Sequence, residues 1–253
     1  MAAPPDPTRP LALSPQPADS DPEAIHAAAR AGSISTIATL LEAHPKLANR
    51  ADSDQRLPLH WAVSYNHLPV IEHLLPLTTD VDAPDSLGWT PLHIAANIPN
   101  GIEAAKLLLA RGADAGAKND RGQTPLFYAV SRGNLELVRL LLGPPHKTSS
   151  RVRDKAGQMP IHRAAAVGQR VVVEVLLENN SPVDPKDAEG WTPLHHAVAE
   201  GHGDVAVLLL KKGADSGVRD GEGRVAMLDA PDRKVVEFIK NGAAEEGLEL
   251  VMQ

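Results

Sequence analysis

Apolar positions along this chain fall into two alternating patterns. The first is short: one aliphatic residue after a proline, then a small pair, as in Pro91-Leu92-His93-Ile94-Ala95-Ala96 and Pro160-Ile161-His162-Arg163-Ala164-Ala165. The second is leucine-rich: Leu107-Leu108-Leu109, Leu137-Val138 with Leu140-Leu141-Leu142, and Leu208-Leu209-Leu210. Apolar residues three and four apart line one face of a helix, so both patterns predict helices. A Thr before the proline predicts an N-cap that accepts a backbone N–H, with Pro in the first turn where no donor is missed. Gly133, Gly168 and Gly201 end the short helix by tolerating a left-handed backbone. Gly112-Ala113-Asp114 and Gly213-Ala214-Asp215 close the second, and Gly88, Gly122, Gly157, Gly190 and Gly223 mark a hairpin tip after it.

The unit repeats. Leu57-Pro58-Leu59-His60 recurs as Thr90-Pro91-Leu92-His93, Thr124-Pro125-Leu126-Phe127, Met159-Pro160-Ile161-His162 and Thr192-Pro193-Leu194-His195. The prolines lie 33, 34, 35 and 33 residues apart. An earlier copy begins at Ile25-His26-Ala27-Ala28 and a degenerate last one surrounds Ala226. One such unit cannot bury its apolar face alone, so neighbours must stack. The pattern resembles ankyrin repeats and predicts an all-α solenoid of about seven helix-turn-helix units with hairpin tips. Two departures fall in connections: extra residues from Gly143 to Ser150, expected as a protruding loop, and Pro99-Asn100 in place of the usual Gly turn. Seven prolines within the first 22 residues place a disordered extension at 1–21, leaving 22–253 as the repeat domain.

Composition narrows the function. The 25 Lys and Arg against 32 Asp and Glu give a net charge of −7, which disfavours a nucleic-acid partner. No apolar run is long enough to span a membrane, and no secretory signal is read at the N-terminus. Cysteine is absent, which removes disulfides, thiolate metal sites and cysteine nucleophiles. The expectation is an intracellular protein, monomeric on its own, that needs no cofactor.

Counting each unit from its tip Asp or Asn, Thr-Pro holds positions six and seven. Tip positions two, three and five then face outward, and helix positions ten, thirteen and fourteen share one face. Trp89 and Trp191 stand at position five, Trp61 and Tyr128 at ten, and Tyr65 at fourteen, so five of seven aromatics gather on the expected concave side. One reading makes them interface anchors; the other folds each Trp over its neighbouring hairpin as a staple between repeats. Charges follow the same stripe: Asp54, Arg56, Arg132, Arg163 and Glu200. Together they predict a docking groove for a charged protein partner.

Eleven histidines invite a metal or acid–base reading. His60, His93, His162 and His195 fill the repeat's own His position, where the ring is expected to bond backbone between adjacent hairpins. His195, His196 and His202 lie close together, but no His-Glu-x-x-His follows. No nucleophile elbow, phosphate loop or dinucleotide fingerprint occurs, so an enzyme is not expected.

The stretch Asp54-Gln55-Arg56-Leu57-Pro58-Leu59-His60-Trp61-Ala62-Val63-Ser64 is similar to the second repeat of the gankyrin family. Leu87 through Ala95 is similar to its third repeat, Gln158 through Gly168 to its fifth, and Gly190 through Leu209 to its fungal form. That resemblance implies an assembly chaperone of the proteasome regulatory particle, working in cytoplasm and nucleus. It would grip the C-terminal domain of one AAA-ATPase subunit with its concave face. The resemblance also implies that Arg56 and Arg132 are basic contacts and that Asp54 and Asp85 are acidic ones. Leu194-His195-His196-Ala197-Val198 lacks the cysteine of the family's retinoblastoma-binding segment, so that activity is not carried over. A general ankyrin adaptor holding a kinase or transcription factor would use the same groove and stays open at this level.

Overall fold

The computed structural model describes residues 23–252. The proline-rich segment 1–21 lies outside the described residues. Thirteen α-helices follow one another with no strand among the described residues. They pair as α1 (Ala24–Ala31) with α2 (Ile34–Ala43), α3 (Pro58–Ser64) with α4 (Leu68–Leu74), and α5 (Pro91–Asn97) with α6 (Ile102–Ala110). Next come α7 (Pro125–Ser131) with α8 (Leu135–Leu142), α9 (Pro160–Ala166) with α10 (Arg170–Glu178), and α11 (Pro193–Ala199) with α12 (Gly203–Lys211). In the seventh unit a 3-10 turn, Ala226–Asp229, replaces the inner helix before α13 (Arg233–Glu245). That unit has lost Thr, Pro and His from the start of its inner helix, and Pro231 blocks continuation.

Helices of seven residues do not persist alone in water; packing makes them. Helices α1, α3, α5, α7, α9 and α11 stack as an inner row, and α2, α4, α6, α8, α10 and α12, continued by α13, as an outer row. Leu59, Leu92, Leu126, Ile161 and Leu194 sit between inner helices, essentially sealed from solvent. Each contributes about 2–3 kcal/mol of burial. The paired alanines Ala95-Ala96 and Ala164-Ala165 let the axes approach.

The hairpin tips form a second continuous layer. Asp52, Asp85, Asn119, Asp154, Asp187 and Asp220 stand at position one, and each Oδ1 accepts the N–H groups of positions three and five at 2.9–3.0 Å. Across units, the position-two N–H donates to the preceding unit's position-three carbonyl. Ser86 reaches Asp54, Asp120 reaches Leu87, Lys155 reaches Arg121, Ala188 reaches Ala156 and Gly221 reaches Glu189, at 2.8–3.1 Å. The position-three residue of units two to six is thus pinned on both sides, through its N–H and through its carbonyl.

The expected Thr cap needs correcting. Position nine does most of that work: Nδ1 of His60, His93, His162 and His195 accepts the N–H of Leu57, Thr90, Met159 and Thr192 at 2.9–3.3 Å. Nε2 then donates across the unit boundary to the carbonyls of Trp89, Gln123, Pro185 and Arg224 at 2.9–3.4 Å. Donors at Nδ1 and an acceptor at Nε2 define the neutral Nε2–H tautomer. Burial enforces that state, pushing His60 and His162 down to about 4 and lowering His93 and His195. Of the Thr hydroxyls, only that of Thr90 accepts a backbone N–H, from His93 at 3.4 Å.

The insertion after α8 protrudes less than its length suggests. Pro144 and Pro145 are exposed, but Ser150 is buried with Oγ donating to Asn179 O at 2.9 Å, and Arg151 Nε donates to Asn180 O at 2.7 Å. In the third unit Asn100 takes the left-handed conformation (φ 58°), and a Cβ on Gly101 would strike the Ala95 carbonyl.

Candidate functional site

The inner helices and tips present one row of side chains, and the sequence-derived residues distribute along it unevenly. Trp61 is half-buried, its indole N–H donating to Asp52 Oδ2 at 2.7 Å. The guanidinium of Arg30 lies 4.7 Å from its ring centroid and that of Arg56 lies 5.0 Å away. Trp89 leans on Tyr128 of the next unit with ring centroids 4.3 Å apart, and Tyr128 OH is held by Asn119 and Gln123 at 2.8 and 2.7 Å. Trp191 packs on His195 and His196 of its own unit. The stapling role therefore holds for Trp61 and Trp89, which bridge units while keeping part of each ring in solvent. Tyr65 stands out from the row, 55% exposed and stacked over His67.

Asp85 does not belong among exposed contacts. It is 4% exposed and holds position one of its tip. Its Oδ2 is taken by Arg56, whose Nη2 and Nε lie 3.0 and 3.1 Å away. Arg56 is correspondingly committed to the framework, between Asp85 and Trp61. Asp54 and Glu200 are exposed.

Arg132 and Arg163 are exposed, each anchored by one nitrogen to the preceding unit: Nε donates to Asn97 Oδ1 at 3.1 Å and to Ser131 Oγ at 2.9 Å. Arg121 and Lys155, exposed at neighbouring tips, join them. None of these four cations makes an ion pair with a described residue. The middle of the row is thus predominantly basic, with exposed Asp120 beside Arg121, and is followed at units six and seven by exposed Glu189, Glu200 and Glu222. Sequence reasoning missed Arg121 and Lys155, although positions two and three were already assigned outward.

Two hollows open side by side in this row. One, about 450 Å³, has Leu87, Trp89, Ile94 and Ile98 as apolar walls, with Arg56, Asp120 and Arg121 at its rim. Its neighbour, about 230 Å³, is lined by Gln123, Tyr128, Ser131, Gln158 and Arg163; Trp89 and Arg121 border both. Leu87, Ile94 and Ile98 were also missed by the sequence reading.

Among the described residues no three His, Asp or Glu side chains converge as a metal site requires, and no helix is long and apolar enough to cross a membrane. His196 Nε2 bonds Asp187 Oδ2 at 2.9 Å. Burial raises the Asp187 carboxyl, but the His196 side chain and the N–H groups of Trp191 and Glu189 hold it below the ordinary range. The pair belongs to the tip framework.

Known proteins match this arrangement. A family profile described as ankyrin repeats (3 copies) matches residues 10–85, 77–150 and 146–220. The probable 26S proteasome regulatory subunit p28 of Saccharomyces cerevisiae is 38% identical over 157 residues, covering 60% of this chain and 68% of that protein. The Drosophila melanogaster tyrosine-protein kinase Shark is 30% identical over 161 residues, and human rabankyrin-5 is 30% identical over 155. The matched regions are 17% and 13% of those two proteins, so their similarity is confined to repeats. Among solved structures, the ankyrin repeat domain of Bcl-3 superposes with a TM-score of 0.71 at 24% identity, covering 86% of this chain and 97% of that one. At that identity the likeness speaks for the fold alone.

Proposed function

The chain belongs to the ankyrin-repeat family, and within it to the gankyrin group; from that premise we propose that it is an assembly chaperone of the proteasome regulatory particle. It binds the C-terminal domain of one AAA-ATPase subunit of the base through the concave row and holds that subunit back from docking before assembly is complete. The observation that carries this reading is the similarity to the yeast p28 subunit, which extends over most of that protein rather than over a few repeats. The chemistry of the row supports it: unpaired Arg121, Arg132, Lys155 and Arg163 suit an acidic protein surface, and aromatic anchors stand beside them.

Calorimetry of the purified protein against the isolated C-terminal domain of each proteasomal ATPase tests the proposal. Tight one-to-one binding to a single domain is the expected result; binding to none of them would overturn it. Charge reversal at Arg132 and Arg163 together should weaken that complex by roughly a hundredfold or more, with a smaller dependence on salt. Arg56 is left intact in this variant because its reversal would break the Asp85 pair and disturb the tip itself.

A further inference from the structure

At the outward positions three, ten and fourteen, units two, four, five and six carry mostly polar or aromatic residues. They are Asp54, Trp61 and Tyr65; Arg121, Tyr128 and Arg132; Ala156, Arg163 and Val167; Glu189, His196 and Glu200. Unit three carries Leu87, Ile94 and Ile98, all aliphatic, with Trp89 beside them. These four side chains wall the hollow of about 450 Å³, and Leu87 is 60% exposed at its edge. Scattered surface leucines need no explanation, but an aliphatic hollow with a charged rim does. The Leu87 backbone is fixed by Asp85 Oδ1 on its N–H and by the Asp120 N–H on its carbonyl, at 2.9 and 3.1 Å. The hollow is therefore pre-formed, which lowers the ordering cost of filling it.

We propose that this hollow is a socket for one bulky aliphatic or aromatic side chain of the partner, and that the partner carries a carboxylate about seven residues further along a helix. Trp89 and Arg121 divide the apolar hollow from the polar one of the next unit, where Arg163 waits without an ion-pair partner. Adjacent repeats are spaced by helix packing, about 10 Å. Two turns of a helix lying along the row advance by nearly the same length, about 11 Å. A helix that seats its apolar residue between Leu87 and Ile98 thus brings position i+7 or i−7 over the neighbouring hollow, which Arg121 borders and Arg163 lines. The apolar side chain supplies the desolvated anchor, and the carboxylate sets direction and register. This inference rests on the concave-face reading above and names the feature by which the row would tell one ATPase domain from another.

A synthetic helical peptide with one central Leu and a Glu seven residues on is the first probe, titrated into the full chain while the methyl signals of Ile94 and Ile98 are followed by NMR. Saturable shifts at both methyls are expected, with affinity reduced on the order of tenfold when the peptide's Leu becomes Ser. Arg121→Gln in the protein should lower affinity a few-fold and flatten its salt dependence. No shift at the two methyls, or equal binding of both peptides, overturns the socket. The ATPase domain identified by calorimetry is the second probe: Leu87→Ser should weaken it on the order of tenfold while leaving the salt dependence unchanged. Unchanged affinity in that variant overturns the socket but leaves the chaperone proposal standing. Peptide docking at Ile94 and Ile98 with no ATPase domain bound would do the reverse.

Discussion

The fourth unit and the units on either side of it solve the same problem differently. In units two, three, five and six a buried neutral histidine closes the start of the inner helix and reaches across to the next hairpin. In unit four Phe127 fills that place, 3% exposed, and offers neither bond. The Thr124 hydroxyl beneath it is buried and has no partner. The helix starts at Pro125 regardless, as the others do at their prolines. Proline and stacking are therefore enough to start the helix, and histidine adds coupling between neighbours. That coupling should be sensitive to protons in four units and insensitive in one.

Acid breaks this comparison most strongly. His60 and His162 titrate at about 4 in the folded chain because burial penalises the imidazolium, against 6.5 when exposed. Below pH 6.5 the unfolded chain binds protons that the folded chain refuses, so stability falls as pH drops from 6.5 towards 4 and is level above about 7. By pH 5 each of these two histidines should have withdrawn about 2 kcal/mol, with His93 and His195 adding in the same direction. Denaturant midpoints at pH 7 and pH 5 measure the loss directly; equal midpoints would show that the buried rings protonate in place.

Next in size is His162→Phe, which makes unit five resemble unit four. The Met159 N–H and the Pro185 carbonyl lose their partner, and burial of unpaired groups costs about 1–3 kcal/mol each. A loss of about 3 kcal/mol is expected, together with a shallower response to acid. Were the variant as stable as the parent, the coupling role of position nine would be refuted.

The register of the solenoid was legible because Thr-Pro-Leu-His recurs at nearly fixed spacing, and seven stacked units follow from it. The capping role of the histidine was less so. Its second partner lies 29 or 30 residues away in three of the four units, and which group accepts and which donates depends on a tautomer no local pattern encodes. In the concave row, aromatic and charged residues were found because they stand out singly. Leu87, Ile94 and Ile98 did not, since aliphatic residues in a helical repeat read as core until three of them share outward positions. Asp85 was misplaced for the converse reason: likeness to a family contact outweighed its own place at position one, where the tip consumes both carboxylate oxygens.

The smallest predicted effect is the sharpest, because its sign should change between units. Thr→Val swaps a hydroxyl for a methyl with little change of shape. In units three and six the Thr90 and Thr192 hydroxyls each lie 2.9 Å from a histidine Nδ1. Removing either should cost about 1 kcal/mol, the net worth of one buried hydrogen bond. In unit four the Thr124 hydroxyl is desolvated with no bond in return, so Thr124→Val should leave stability unchanged or raise it by up to about 1 kcal/mol. Denaturant melts of the three single variants at pH 7 would reveal the pattern. A loss at Thr124 as large as at Thr90 would mean that the hydroxyl is satisfied after all and that Phe127 does not set its unit apart. A gain at Thr124 beside losses at the other two would tie the difference between units to the single ring at position nine.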